Sequence, residues 1–182
     1  MLFRSIESAL APDSVVVADG GDFVATSSYT LAPRSPLSWL DPGVFGTLGV
    51  GAGFALGAKL VNPDKEVWII YGDGSVGYSL TEFDSFTRHK IPVIAVVGND
   101  ASWMQIARDQ VEILKDDVGT VLRRTDYHAA AEALGGKGLL LDDPAKISEV
   151  LAQAKALARA GHAVLVNALL GRTAFRKGSV SM

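Results

Sequence analysis

Three apolar segments, each ending in glycine and an acidic or amide residue, constrain the fold of this 182-residue chain more than any other feature. The segments read VVVADGGD at 15–22, VWIIYGDG at 67–74 and VIAVVGND at 93–100. Continuous apolar runs, as opposed to alternating ones, are typical of strands buried on both faces of a parallel sheet. We therefore expect three parallel strands whose polar ends meet at one edge of a sheet.

Helical patterns alternate with strands along the whole chain. We predict strands over 14–18, 66–71, 93–97, 139–141 and 164–169, and helices over 3–10, 48–60, 78–89, 102–114 (in part), 127–134 and 144–160. Three prolines between 31 and 46 predict an irregular segment there. The alternation indicates an α/β fold, with a doubly wound, mostly parallel sheet and helices on both faces. The length fits one domain over residues 1–182.

Composition excludes several classes of protein. A hydrophobic fraction of 48% with a net charge of −3 excludes a disordered chain, and the absence of cysteine excludes a disulfide scaffold. A pI near 5.6 without a Lys/Arg run argues against a nucleic-acid partner. The sequence also lacks an uninterrupted apolar stretch of the roughly 20 residues that cross a membrane as a helix.

Glycine is abundant, with 19 residues, and much of it lies where the predicted strands end. Ligands of doubly wound sheets bind at the carboxyl ends of the strands. Glycine at such an end lets main-chain N–H groups approach an anion closely. The pattern predicts a phosphate-bearing ligand, but Phe54 breaks the dinucleotide fingerprint counted from Gly49, and no P-loop sequence is present.

Asp73 and Asn99 are the candidate metal ligands. Asp73 follows the second strand and Asn99 the third, and the 24 residues between Gly74 and Asn99 suffice for one helix and one strand. The two side chains should therefore converge above neighbouring strands. A carboxylate, an amide oxygen and a nearby main-chain carbonyl form a hard-oxygen site suited to Mg²⁺.

These same residues resemble a known motif. The segment 72–75 (GDGS), followed after the spacer by Asn99, resembles the thiamine-diphosphate motif, in which GDG is followed by a pair of asparagines. The first asparagine is Gly98 here, so that Asn99 takes the position of the second, metal-binding one. The resemblance implies that Mg²⁺ is held by Asp73, Asn99 and the main-chain carbonyl of Ala101.

The segment 46–51 (GTLGVG) resembles the G-T-M-G-x-G stretch of acetolactate synthases. It implies that the Gly46 carbonyl holds the cofactor's aminopyrimidine and that Leu48 is the apolar wedge bending the cofactor. Ser75 and Ser102 are candidate hydroxyl donors to the diphosphate, and Trp103 either faces the substrate or packs the sheet edge. The implied cofactor-binding residues are Gly21, Asp22, Phe23, Gly46, Leu48, Gly72, Asp73, Gly74, Ser75, Asn99, Ala101, Ser102, Trp103 and Met104.

Over most of its length the chain is similar to the acetolactate-synthase-like 2-hydroxyacyl-CoA lyases. The resemblance implies the C-terminal thiamine-diphosphate-binding domain of such an enzyme, without its pyrimidine-binding and middle domains and without the catalytic glutamate. It implies cleavage of 2-hydroxyacyl-CoA to an aldehyde and formyl-CoA by the longer enzyme, the chain alone being inactive. An acetolactate-synthase-type carboligase, a non-catalytic module binding Mg²⁺ and a phosphorylated ligand, and a non-catalytic interaction subunit remain open.

The same resemblance implies the partners. They are an acyl-CoA or a 2-oxo or 2-hydroxy acid, a pyrimidine-binding domain of the same or a neighbouring chain, and further copies in a homo-oligomer. We expect an intracellular protein, either cytoplasmic or on the endoplasmic reticulum membrane if an anchor lies outside these residues. Arg172, Arg176 and Lys177 are either a solvated terminus or a segment that meets the phosphates of coenzyme A.

Overall fold

The computed structural model describes residues 1–172, in which six strands form one sheet with every neighbouring pair parallel. The strands are β1 (Val15–Asp19), β2 (Trp39–Leu40), β3 (Val67–Gly72), β4 (Ile94–Asn99), β5 (Lys137–Leu141) and β6 (Val164–Leu169). Their order across the sheet is β2-β1-β3-β4-β6-β5. The chain leaves β1 towards one edge to form β2 and then crosses to β3 on the other side. The carboxyl ends of β1 and β3 therefore flank the crevice at which doubly wound sheets bind ligands.

Eight helices accompany the sheet within the described residues. They are α1 (Leu2–Ala9), α2 (Asp22–Ser28), α3 (Gly51–Val61), α4 (Asp73–Ser79), α5 (Glu82–Arg88), α6 (Met104–Leu114), α7 (Tyr127–Ala133) and α8 (Ile147–Arg159), with 3₁₀ turns at Gly43–Phe45 and Pro144–Lys146. None of the helices within residues 1–172 combines the length and the apolar character needed to cross a membrane.

Helices cover both faces of the sheet, which confirms the predicted doubly wound α/β fold. On one face, Ile6 of α1 and Leu151 of α8 join alternate strand residues such as Ile70 in one buried cluster. On the other face, Phe83 of α5 packs with the intervening strand residues, among them Ile69. Because successive residues of a strand point to opposite faces, a strand covered on both sides is apolar at every position.

Three local predictions were wrong. Helix α2 was missed because its sequence, DFVATSS, is short and rich in residues of low helix propensity. Strand β2 has only two residues and lies within the proline-rich segment predicted to be irregular. The helix predicted over 78–89 is instead two helices, α4 and α5, and α4 begins at Asp73 despite the glycines in its sequence. Because of that early start, the GDG segment is the entrance to a helix and holds the Asp73 carboxylate against the sheet.

Candidate functional site

A cleft of about 290 Å³ lies at the carboxyl ends of β1, β3 and β4. Its walls come from the turn after β1, the GDG segment, the chain that follows β4 and the loop before α3. Every cofactor-binding residue implied by the sequence lines this cleft except Asn99 and Ala101. Gly20, Gly98, Asp100, Gln105, Ile106 and Leu170 line it as well.

Two carboxylates, those of Asp73 and Asp100, lie together in the cleft. Asp73 is 4% exposed, and its Oδ2 accepts a hydrogen bond of 3.2 Å from the main-chain N–H of Ser102. Burial, which opposes ionisation, raises the pKa of the Asp100 carboxyl to about 6, and the negative charge of Asp73 adds to this rise. Burial also raises the pKa of Asp73, against the opposing effect of main-chain donors that include Ser102 and Ala101. The pair thus concentrates negative charge that a bound cation would neutralise.

Asn99 does not line the cleft, although the oxygen predicted to bind the metal is left free. Its side chain is fully buried, and its amide donates to the carbonyl of Thr125 at 3.0 Å and to Oδ1 of Asn167 at 3.1 Å, while its own Oδ1 has no hydrogen-bond partner within the described residues. The main-chain carbonyl of Ala101 accepts hydrogen bonds from Leu122 at 2.9 Å and from Arg172 at 3.1 Å. That these two oxygens share a metal with Asp73 stays a prediction.

Strand β4 is longer than predicted. The sequence predicts a strand ending at residue 97, but β4 continues through Asn99. Asp100, the first residue after the strand, lines the cleft. Ala101 then adopts a left-handed conformation, with φ of 57°, which turns the chain back so that the Ser102 N–H reaches Asp73.

The donor set in the cleft suits a hard divalent cation. Asp73 and Asp100 place two carboxylates in the cleft, and the buried Oδ1 of Asn99 has no hydrogen-bond partner within the described residues. No cluster of three or more carboxylate, imidazole or thiol side chains occurs within the described part of the chain. A cation held by so few side chains keeps coordination positions for phosphate oxygens, as Mg²⁺ does in many phosphate-binding sites.

Glycine brings main chain from β1 and β3 into close contact beneath the cleft. A Cβ atom on Gly20 would lie 2.7 Å from the main-chain nitrogen of Gly72, and Gly20 has φ of 152°, which residues with a side chain rarely adopt. A Cβ on Gly21 would lie 2.5 Å from Oε1 of Gln105. The absence of a Cβ at these two positions therefore lets the ends of β1 and β3 and the Gln105 side chain approach closely at the floor of the cleft.

Asp19 at the end of β1 holds the loop that carries Gly46 and Leu48. Its buried carboxylate accepts hydrogen bonds from the N–H groups of Gly51 at 2.7 Å and of Gly49 at 3.1 Å. Burial raises the pKa of Asp19, while these two donors act in the opposite direction. Sequence analysis did not select Asp19, although a carboxylate directly after an apolar strand was the signal that singled out Asp73.

Several predicted contact groups are already engaged within the protein. The hydroxyl of Ser75 donates to the main-chain carbonyl of Asp19, and that of Ser102 donates to Thr120 at 3.2 Å. Asp22 forms an ion pair with Arg108 of α6. These side chains therefore shape the rim of the cleft. Arg176 and Lys177, the other basic residues proposed to meet coenzyme A, lie outside the described residues.

The aromatic residues Phe23 and Trp103 pack on glycine within the cleft. The Phe23 ring lies against Gly98, and the Trp103 ring lies against Gly74, each in the space that a Cβ atom would fill. Tyr78 flanks Trp103, with 6.4 Å between the ring centroids. Trp103 thus both lines the cleft and packs over the GDG segment, which combines the two roles that the sequence left open.

The raised pKa of Asp100 predicts a pH dependence. A metal competes with the proton on this carboxyl, so we expect Mg²⁺ affinity to weaken by up to about tenfold per pH unit below about pH 6. In the metal-free chain, a rise in pH has the opposite effect and lowers the stability of the fold. The unfolded carboxyl ionises near its ordinary pKa of about 3.9, so the metal-free fold loses stability as the pH rises from about 4 to about 6.

Calorimetric titrations between pH 5 and 7.5, with urea unfolding of the metal-free chain, measure both effects. The Asp100→Asn variant, which has no proton to lose at this position, should lack the stability loss between pH 4 and 6. A Mg²⁺ affinity that stays constant from pH 5 to 7.5 in the unsubstituted chain would contradict the placement of the cation beside the Asp100 carboxylate.

Comparison with known proteins identifies the family to which this cleft belongs. The family model described as thiamine pyrophosphate enzyme, C-terminal TPP binding domain, matches residues 19–168. The chain belongs to this family. Thiamine pyrophosphate is thiamine diphosphate, and the matched residues include the ends of β1, β3 and β4 that form the cleft. The fold and the family implied by the sequence are thereby confirmed.

Individual relatives agree with this family. The 2-hydroxyacyl-CoA lyase 2 of Danio rerio is 56% identical over 183 residues, and that of Homo sapiens is 57% identical over 183 residues; each alignment covers 100% of this chain. The acetolactate synthase large subunit IlvG of Mycobacterium tuberculosis is 36% identical over 169 residues, or 92% of this chain. The chain spans only 30%, 29% and 30% of these three relatives, respectively.

Proposed function

We propose that this chain is the cofactor-binding domain of a thiamine-diphosphate-dependent lyase that cleaves 2-hydroxyacyl-CoA to an aldehyde and formyl-CoA. The observation that supports this reaction class is the sequence identity of 56%, over the whole chain, with a protein named 2-hydroxyacyl-CoA lyase 2. Sequence identity with the acetolactate synthase large subunit is lower, at 36%. A carboligase that acts on 2-oxo acids is therefore the second candidate.

We also propose that Mg²⁺ joins the cofactor to this domain through Asp73, the Oδ1 of Asn99 and the main-chain carbonyl of Ala101, with the Asp100 carboxylate beside them. The buried Oδ1 of Asn99 supports this, because it has no hydrogen-bond partner within the described residues. The charge of Asp73 raises the pKa of Asp100, and a divalent ion bound beside both carboxylates would offset that repulsion. The main chain around Gly20 and Gly21, which lines the cleft, would accept the diphosphate.

The remaining residues of the cleft would orient the cofactor. Thiamine diphosphate supplies a ring carbon that can hold the electron pair released when a carbon–carbon bond breaks. Leu48 lines the cleft, and the loop that carries it is fixed by the two hydrogen bonds to Asp19. Together with Trp103 and Met104 it would form an apolar wall that excludes water from the reacting carbon. No side chain described here is assigned the proton transfers of the reaction.

An apolar surface supports the proposal that another domain completes the site. In α3, Leu60 is 63% exposed and Val61 is 80% exposed, and both lie on the same helix as exposed Phe54. Val44 and Phe45, at 94% and 88% exposed, lie immediately before Gly46 of the cleft. Exposed apolar side chains beside a ligand site are typical of a surface that binds protein. We propose a pyrimidine-binding domain, from the same or a neighbouring chain, as its partner.

The proposal predicts that the 182-residue chain alone binds thiamine diphosphate weakly in a Mg²⁺-dependent manner and has no lyase activity. A chimera tests the function, with this chain replacing the matching segment of the Danio rerio lyase. We expect the chimera to release formyl-CoA from a 2-hydroxyacyl-CoA, as measured by mass spectrometry. A parallel chimera with the Mycobacterium tuberculosis synthase, assayed for acetolactate formation from pyruvate, should be much less active.

The Asp73→Ala variant of each chimera is the matched control, because it removes a proposed metal ligand without enlarging a side chain. Activity in the synthase chimera alone would favour the carboligase. Full lyase activity of the isolated chain would show that no second domain is needed.

A further inference from the structure

The side chain of Asp19 connects the end of β1 to a distant loop. Asp19 is the last residue of β1 and is fully buried, and its carboxylate accepts hydrogen bonds from the main-chain N–H groups of Gly49 and Gly51. Both donors belong to residues 46–51, which we call the glycine loop. The two contacts span 30 and 32 residues of chain, so they fix the loop from outside the loop itself.

The main chain of Asp19 has a separate attachment. Its carbonyl accepts a hydrogen bond from the hydroxyl of Ser75, near the start of α4, and its backbone pairs with that of Tyr71 in the ladder between β1 and β3. The side chain therefore contacts the glycine loop, while the main chain contacts β3 and the GDG segment. A change of the side chain alone can loosen the first attachment and leave the second in place.

The strand itself does not require a carboxylate at this position. The other residues of β1 are apolar and buried. Burial of a carboxylate is unfavourable unless hydrogen bonds or charges compensate for the lost water, and the two N–H groups of the glycine loop supply such hydrogen bonds here. Packing is also close, since a Cβ on Gly51 would lie 2.9 Å from the Cβ of Asp19. The carboxylate is therefore explained by the loop that it holds.

The two attachments lead to different parts of the proposed cofactor site. The main chain proposed to bind the diphosphate, at 20–21, directly follows Asp19 and lines the cleft. The glycine loop carries Leu48, which belongs to the proposed apolar wall for the rings of the cofactor. The position of this wall relative to the diphosphate therefore depends on the hydrogen bonds of the Asp19 side chain.

We infer that Asp19 is a positioning residue that holds Leu48 in place relative to the diphosphate-binding main chain and thereby makes the cleft select whole thiamine diphosphate over a phosphate-only ligand. The inference rests on the proposed function and deepens it. Loss of the side-chain hydrogen bonds should free the glycine loop and weaken binding of the cofactor's rings. Inorganic pyrophosphate has no rings to contact the loop, so its binding should not change.

Asp19→Asn tests the inference, because it keeps the shape of the side chain and removes its charge and one of its two acceptor oxygens. Calorimetric titration of the 182-residue chain at saturating Mg²⁺ gives the affinities for thiamine diphosphate and for inorganic pyrophosphate. We expect a loss of about tenfold for thiamine diphosphate, as for one hydrogen bond to a charged group, and a change within about twofold for pyrophosphate.

Leu48→Ala separates positioning from a general loss of stability, because Leu48 lies outside the buried core. This variant should also lose affinity for thiamine diphosphate alone. The double variant Asp19→Asn/Leu48→Ala should lose little more than Leu48→Ala, since both changes act through the same side chain. Losses that add in the double variant would contradict the inference.

Ile6→Val is the matched control for stability, because it removes one buried methyl group in α1, on the other face of the sheet. Its Tm should fall with both affinities unchanged, whereas Asp73→Ala, which lacks a proposed metal ligand, should lose affinity for both ligands. Equal losses for both ligands in Asp19→Asn, or no loss for either, would contradict positioning. If the unsubstituted chain binds neither ligand, the proposed function fails and this inference fails with it.

Discussion

Replacing Asp73 by Ala is expected to weaken Mg²⁺-dependent binding of thiamine diphosphate by more than about 100-fold, because a lost metal ligand costs at least as much as a lost residue that orients one. The Asp73 carboxylate lines the cleft and is the one anionic side chain of the proposed donor set. Since Asp73 is not part of the apolar core, the fold should persist. Calorimetric titration of the cofactor at saturating Mg²⁺ measures the loss.

Asp117→Ala provides the control for the change in net charge. Asp117 is an exposed carboxylate in the loop after α6, outside the cleft. Its removal should leave cofactor affinity within about twofold, because exposed charges at a distance are screened by salt. Cofactor affinity in the Asp73→Ala variant equal to that of Asp117→Ala would show that Asp73 does not hold the metal.

Gly20→Ala is expected to destabilise the domain by about 2–4 kcal/mol. This is the summed cost of a positive φ, which alanine disfavours, and of a steric clash made by the added Cβ. The added Cβ would lie 2.7 Å from the main-chain nitrogen of Gly72, and Gly20 has φ of 152°. Neither strand end can move without disturbing the parallel pairing of β1 with β3. The free energy of unfolding in urea measures the effect, and cofactor affinity should fall with it, since the diphosphate is proposed to bind at this point.

Gly57→Ala is expected to have the opposite effect on stability. Gly57 lies within α3, is exposed, and has nothing near the position of an added Cβ. Alanine there should stabilise the domain by about 0.5–1 kcal/mol, because glycine disfavours the helical conformation. A Gly20→Ala variant as stable as Gly57→Ala would mean that the close approach of β1 and β3 is not required.

Much of the fold could be predicted because strands that are buried on both faces of the sheet are continuous apolar segments in the sequence. The strands β1, β3, β4 and β6 are apolar at almost every position, and each was placed within a few residues. Strand β2 left no such trace, because two residues at a sheet edge show no periodicity. The short helix α2 is set by packing against the sheet more than by its own helix propensity.

The site could be predicted in part. Asp73, Trp103 and Met104 line the cleft, as the resemblance implied. Asp100 lines it too and was passed over, because nothing in the sequence shows which of the residues that follow a strand faces a cleft. The roles of Asn99 and Ala101 as metal ligands stay predictions, and the Asn99 amide contacts Thr125 and Asn167.

Residues that act through long-range contacts left the weakest signal. Asp19 contacts a loop 30 residues away, and Tyr127 contacts Asp73 across 54 residues. Only the folded chain brings such partners together. A polar residue inside an apolar strand is the one clue of this kind that a sequence offers, and Asn167 in VLVNAL is an example.

The position of the metal is tested most directly by anomalous diffraction from crystals of the chain grown with Mn²⁺ and thiamine diphosphate. Mn²⁺ replaces Mg²⁺ at oxygen sites and scatters anomalously. We expect one anomalous peak at the edge of the cleft, bound by the Asp73 carboxylate, Oδ1 of Asn99 and the main-chain oxygen of Ala101. A peak bound by other residues, or cofactor in the cleft without a metal beside Asp73, would contradict this site.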